Sequence, residues 1–235
     1  MINLIKNEYI KIGVFKLITI SIILILIMFC MHFLDININE KLIDFIPYIS
    51  LIIVSIFGGI VSNEYQSGTI RFYLTKPINR IKILISKLLT MIFYTLLLLI
   101  VVLTTCILIT KNVNITLIKD FFFYSIPLIF INVLTLYIST NIKSSSLSTT
   151  ILIIFLFTSN LITELFLLLK LKIVIYTPLP YIDFNIYINK EVITAFNNLY
   201  NTNLNLNSGV IIILVYSVIT LLLALILFNK KDIKS

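Results

Sequence analysis

Long, nearly uncharged apolar runs dominate this chain, and six of them approach or exceed the ~20 residues a helix needs to cross a bilayer. They are Val14–Phe33, Asp44–Ser62, Ile81–Ile109, Phe121–Thr140, Leu147–Leu169 and Val210–Phe228. Hydrocarbon offers no partner to a backbone N–H or C=O, so such runs must satisfy those groups within their own helices. A soluble fold is excluded by the same runs. Of the 235 residues, 60% are hydrophobic and 12% charged, and a small soluble domain lacks the interior to hide them. The expected fold is an all-α polytopic membrane protein, one domain over residues 1–235 with six transmembrane helices. The third run spans roughly 43 Å at ~1.5 Å per residue, against a ~30 Å hydrocarbon core. Its Arg80–Lys87 end is therefore expected to project into water.

Residues 1–13 read as an interfacial amphipathic helix. Ile2, Ile5, Tyr9 and Ile12 share one face at spacings of three and four, while Asn3, Lys6, Asn7 and Lys11 occupy the other, as in a helix lying in the headgroup layer. The two alanines, Ala195 and Ala224, leave no Ala-x-Ala cleavage site after the first run, so a removable signal is not expected.

Positive charge sets the expected orientation. With both termini on one side, that side collects Lys6, Lys11, Lys16, Arg71, Lys76, Arg80, Lys82, Lys87, Lys143, Lys230, Lys231 and Lys234, against Glu8, Glu64 and Asp232. The opposite side balances Lys41, Lys111, Lys119, Lys170, Lys172 and Lys190 with as many acids. Both termini are thus expected in the cytoplasm, in a multi-pass protein of the cell membrane. Basic residues beside apolar runs anchor to anionic lipid, which accounts for the net charge of +8 without a nucleic-acid partner. Cys30 and Cys106 lie in apolar runs, His32 is the single histidine, and no HExxH, CxxC or GxxxxGK[ST] string occurs. Neither a metal site nor catalysis by this chain is expected.

The most informative stretch is residues 63–80, NEYQSGTIRFYLTKPINR. As a helix from Glu64 to Leu74 it places Glu64, Gly68 and Arg71 on one face, where a small residue between two charges lets another backbone approach. Pro77 ends that element. The alternation of Ile70, Phe72 and Leu74 with polar neighbours leaves a strand open.

The order Glu64, Gly68, Thr69, Arg71, then Pro77 and Arg80, then Lys87 opening a long apolar run, resembles ABC transporter permeases of the ABC-2 type. It is most similar to the small permeases of bacitracin-resistance and lantibiotic-immunity exporters. The resemblance implies that 63–80 is a cytoplasmic coupling segment whose seven named residues dock on a separate ABC ATPase subunit. It further implies that a second permease chain, identical or related, pairs with this one. ATP and magnesium would then sit on the ATPase; the absence of a glycine-rich phosphate loop here agrees, and no cofactor is expected in this chain. The implied function is export of an antimicrobial peptide or other amphipathic compound. Lipid and sodium stay open as cargo, and so does a non-transporting scaffold or sensor.

Polar residues inside the runs are few. Asn132, Thr135 and Ser139 form a stripe at spacings of three and four, and Asn160 and Glu164 lie four apart. Helix–helix contact and a substrate path are both open for them, since buried polar groups in a membrane face protein or a cavity. Ser55, Gly59 and Ser62 make a small-residue ridge for close packing, within the chain or between permeases. Residues 170–209 form an outer segment whose Tyr176, Tyr181, Phe184 and Tyr187 suit a membrane interface.

Overall fold

The computed structural model describes residues 2–33, 46–70, 79–110, 115–182, 194, 197–198 and 206–230. Every regular element among them is helical. In chain order these are α1 (Ile2–Ile12), α2 (Val14–Phe33), α3 (Ile46–Phe57), α4 (Ser62–Gln66), α5 (Arg80–Thr110), α6 (Ile115–Asn141), α7 (Ser145–Leu168), a 3-10 turn (Lys172–Tyr176), α8 (Leu179–Ile182) and α9 (Leu206–Lys230).

The break between α1 and α2 falls at Gly13, whose φ of 80° is a left-handed value that glycine adopts without a Cβ penalty. Among the described residues three helical segments are long and apolar enough to cross a membrane: Pro47–Gln66, Arg80–Ile109 and Ser208–Lys230. Six were expected. Counted over their described residues, the apolar stretches of the other three, Ile18–Cys30, Ser125–Asn141 and Ser145–Ser159, are shorter, although α2, α6 and α7 themselves run for 20, 27 and 24 residues.

Helix α6 is the hub of the bundle and packs on α9, α5 and α3. Its inward residues Leu128, Ile131, Val133 and Leu136 are buried. The outer faces of α7 and α9 are apolar and exposed, with Phe157, Leu161 and Leu165 on one and Ile211, Val218 and Leu222 on the other. Such an outward apolar surface is rare on a soluble monomer.

The helix that starts at Ile46 is interrupted at Gly58–Gly59. A Cβ on Gly58 would overlap the Thr149 side chain, and one on Gly59 would come within 2.7 Å of Ser145 Cβ. The glycines thus let α7 press against the broken turn. Of the expected small-residue ridge, Ser62 is buried and Gly59 meets α7, so its contact lies within the chain, while Ser55 faces outward. Beyond α7, Lys170 takes a φ of 52° and the chain tucks back, burying Val174, Ile175, Pro180, Tyr181 and Ile182. The Tyr181 hydroxyl donates to the Ile175 carbonyl at 2.8 Å, and burial, with a smaller push from Tyr176, raises its pKa to about 12. Within the expected outer segment, Phe184 and Tyr187 lie outside the described residues.

The Arg80–Lys87 end of α5 is only partly exposed: Lys82 faces outward, while Arg80 and Ile81 are half-buried. Ile83, Leu84 and Lys87 are buried, because α1 and the α3–α4 turn wrap the first two turns of the helix.

Candidate functional site

One end of the bundle gathers the starts of α2, α5 and α7 and the ends of α3, α6 and α9. Arg80 Nη1 there donates to the Asn229 carbonyl at 3.1 Å, and Asn79 Oδ1 accepts the Ile81 N–H at 3.1 Å, capping α5. Within this end lies a cluster of four charges. Lys87 Nζ sits 2.7 Å from Glu64 Oε1 and 3.1 Å from Glu8 Oε2. Lys11 Nζ approaches the same Glu64 oxygen at 2.9 Å and the other Glu8 oxygen at 3.4 Å.

Burial separates the four. Lys87 is 1% exposed, Glu8 5% and Glu64 6%, whereas the Lys11 side chain is 46% exposed. An isolated buried ammonium would lose several kcal/mol of hydration. Here two carboxylates and the Ile60 carbonyl, 3.5 Å away, replace that hydration. The broken turn frees this carbonyl, since the Glu64 N–H that a regular helix would aim at it bonds to Val61 instead, at 3.0 Å.

The same break exposes backbone N–H groups, and α6 covers them. Ser139 Oγ accepts from the Val61 and Ser62 N–H groups at 2.8 and 3.1 Å. In return Ser62 Oγ reaches the Ser139 and Ile142 carbonyls at 2.9 and 2.8 Å. Side-chain oxygen caps of this kind satisfy donors that a helix start leaves open, with the unusual feature that the capping serine belongs to another helix.

The expected docking helix Glu64–Leu74 is not continuous. Helix α4 stops at Gln66, and Gly68 takes a φ of 67°, a left-handed turn that breaks the spacing meant to align Glu64, Gly68 and Arg71. Glu64 points into the cluster, not outward. Gly68 and Thr69 are partly exposed, Thr69 Oγ1 lies 2.8 Å from Ser67 Oγ, and a Cβ on Gly68 would meet nothing within 4 Å. Arg71 and Pro77 fall outside the described residues.

Of the polar stripe on α6, Asn132, Thr135 and Ser139 are all fully buried. Asn132 Nδ2 donates to Thr95 Oγ1 at 3.3 Å while its Oδ1 finds no partner among the described residues, and Thr135 bonds to the Ile131 carbonyl of its own helix. These are contacts within the bundle. Glu164 is exposed on α7, and the Asn160 side chain lies outside the described residues. Among the described residues no three His, Cys, Asp or Glu side chains come together as a metal site would require.

Sequence reasoning passed over Glu8. The signal was present: spacings of three and four place Ile5, Glu8 and Ile12 on one face, a carboxylate within the apolar stripe of α1. It also passed over Gly58, which is one step out of the small-residue ridge. A family model described as a protein of unknown function matches residues 20–234. No curated protein matches the chain.

Proposed function

The chain belongs to the DUF2705 family of proteins of unknown function, and from that starting point we propose that it is the permease subunit of an ATP-driven exporter. In this reading it crosses the membrane six times with both termini in the cytoplasm. At ~1.5 Å per residue, α2, α6 and α7 reach about 30, 40 and 36 Å, enough for a ~30 Å core when their polar ends sit in the headgroups. A separate ABC ATPase docks at the charged end, a second permease chain completes the path, and an antimicrobial peptide or other amphipathic compound is carried outward.

The observation that carries this reading is the buried cluster. Glu64 belongs to α4, which leads into the exposed Gly68 turn; Lys87 belongs to the longest helix; Glu8 belongs to α1. A displacement applied at residues 67–70 is therefore transmitted to α5 and α1 through ionic contacts buried beneath them. That division revises the docking set. Gly68 and Thr69 contact the ATPase, while Glu64 and Lys87 pass the movement on. Alternation between two packings of the bundle follows as the transport step.

The test uses Gly68→Asn. Asparagine tolerates a left-handed φ, so the turn keeps its shape while a side chain enters the space above it. Co-purification of the cognate ATPase should fall by roughly 5- to 150-fold, the equivalent of ~1–3 kcal/mol of overpacking, with normal helicity and membrane yield. Unchanged ATPase binding and unchanged export would sink the docking assignment and favour a scaffold or sensor.

A further inference from the structure

Beside the ion cluster a cleft of about 330 Å³ opens between α1, α3 and residues 63–69. Phe57 and Ile60 line it with apolar surface, Glu8, Lys11 and Glu64 with charge, and Asn63, Ser67 and Thr69 with polar groups. We propose that this cleft binds the primary-ammonium headgroup of an aminolipid of the phosphatidylethanolamine type. The proposal rests on the placement of α1 in the headgroup layer given above, and not on export.

The argument starts from the charges. Two carboxylates stand in the cluster, and Lys87, 1% exposed, neutralises one of them as a fixed part of the core. The second positive charge comes from Lys11, which is 46% exposed and reaches in from the rim of the cleft. A lysine ammonium is a compact charge on a flexible four-carbon arm, so Lys11 is the exchangeable member. A ligand ammonium lodged in the cleft can take over its contacts to Glu64 and Glu8 with no change in net charge, while Lys11 turns to water.

Size and chemistry select the head. The volume lies at the low end of small-molecule pockets, about 300–1,000 Å³, which suits a headgroup and excludes a folded peptide. A primary ammonium has three N–H donors to divide among carboxylate oxygens. A choline head has none and is recognised by aromatic cages, whereas this cleft offers the single ring of Phe57. The Ser67 hydroxyl is spent on the Asn63 carbonyl at 2.8 Å, and Thr69 Oγ1 lies 2.8 Å from Ser67 Oγ. The Asn63 side-chain amide therefore supplies the donors for the lipid phosphate, and the apolar lining meets the glycerol carbons.

The full chain is reconstituted in nanodiscs holding equal parts of phosphatidylethanolamine, phosphatidylcholine and phosphatidylglycerol with identical acyl chains. Native mass spectrometry then counts the lipids retained after mild extraction. Phosphatidylethanolamine should be retained over both others by at least about threefold, and Lys11→Gln should raise that preference by roughly three- to fivefold, the scale of one partly exposed ion pair. Lys6→Gln removes the same charge from the exposed face of α1 and should leave the preference unchanged. Equal retention of the ethanolamine and choline lipids, a preference for phosphatidylglycerol, or a fall with Lys11→Gln overturns the proposal. Should Lys11→Gln fail to fold, the unsubstituted chain still decides. Retention should drop at each step from ethanolamine through the mono- and dimethyl heads to choline, and a flat series overturns the site. None of these readouts involves the ATPase, so loss of the lipid site and loss of the exporter reading remain separable.

Discussion

The two ends of the bundle treat a glutamate in opposite ways. At the α1 end Glu64 is 6% exposed and shares Lys87 and Lys11 with Glu8. At the other end Glu164, four residues short of the end of α7, is exposed and forms no ion pair among the described residues. Glu64 follows an apolar run and Glu164 lies within one, and the residue pattern alone does not say which of them is buried. Burial makes the difference: a carboxylate removed from water must be paired and hydrogen-bonded, while one at a helix surface can keep its solvent or headgroup contacts. The α1 end is therefore a structural joint as well as a charged surface.

The largest expected effect breaks that joint. Lys87→Met leaves two buried carboxylates with only the half-exposed Lys11, and loss of one partner from a buried ionic group typically costs about 3–5 kcal/mol. Thermal unfolding in detergent should show it as a steep fall in midpoint and in folded yield. The double variant Glu8→Leu/Lys87→Met removes a carboxylate together with the lysine and leaves Glu64 with Lys11. It should recover a good part of the loss, with a coupling of about 0.5–3 kcal/mol between the sites. Additive losses would mean that Glu8 and Lys87 do not act as a pair.

A smaller effect is expected one layer away, where Ser139 caps the broken turn. Ser139→Ala leaves the Val61 and Ser62 N–H groups without their acceptor, a cost of about 1–3 kcal/mol for buried donors. Chemical denaturation should register it, and hydrogen exchange at Val61 and Ser62 should speed up while the outer half of α6 stays protected. Unchanged exchange at those two amides would show that water replaces the serine.

The smallest effect belongs to the other end. Glu164→Gln should change stability by no more than about 0.5 kcal/mol, as for exposed positions generally. A loss above about 1 kcal/mol in the same unfolding experiment would erase the contrast between the two glutamates and point to a cation held against α7.

Several features could be read from residues alone, and they share a cause. The boundary of α1 at Gly13, the helices laid over each apolar run and the small-residue contact at Gly59 and Ser62 all follow from periodicity, glycine and residue size, which act over a few neighbours. The α4 region was misread for a related reason. Glu64, Gly68 and Arg71 align only on an unbroken helix, and Gly68 adopts the left-handed value that no spacing rule reveals. Lys87 was expected to face water because helix length was set against membrane thickness without the helix that covers it.

The sequence by itself determined the class of this molecule: an all-helical chain built on long apolar runs, with an amphipathic first helix and a basic, glycine-bearing stretch before the longest run. Local patterns suffice there, since hydropathy and backbone preference are properties of neighbouring residues. Only the tertiary structure decided which charges meet. Lys87 finds Glu64 at a separation of 23 residues and Glu8 at 79, and Ser139 caps a turn 77 and 78 residues earlier. Those pairings exist because α1, α4, α5 and α6 converge at one end of the bundle. The cost of leaving a buried charge or N–H alone makes each helix complete its neighbour.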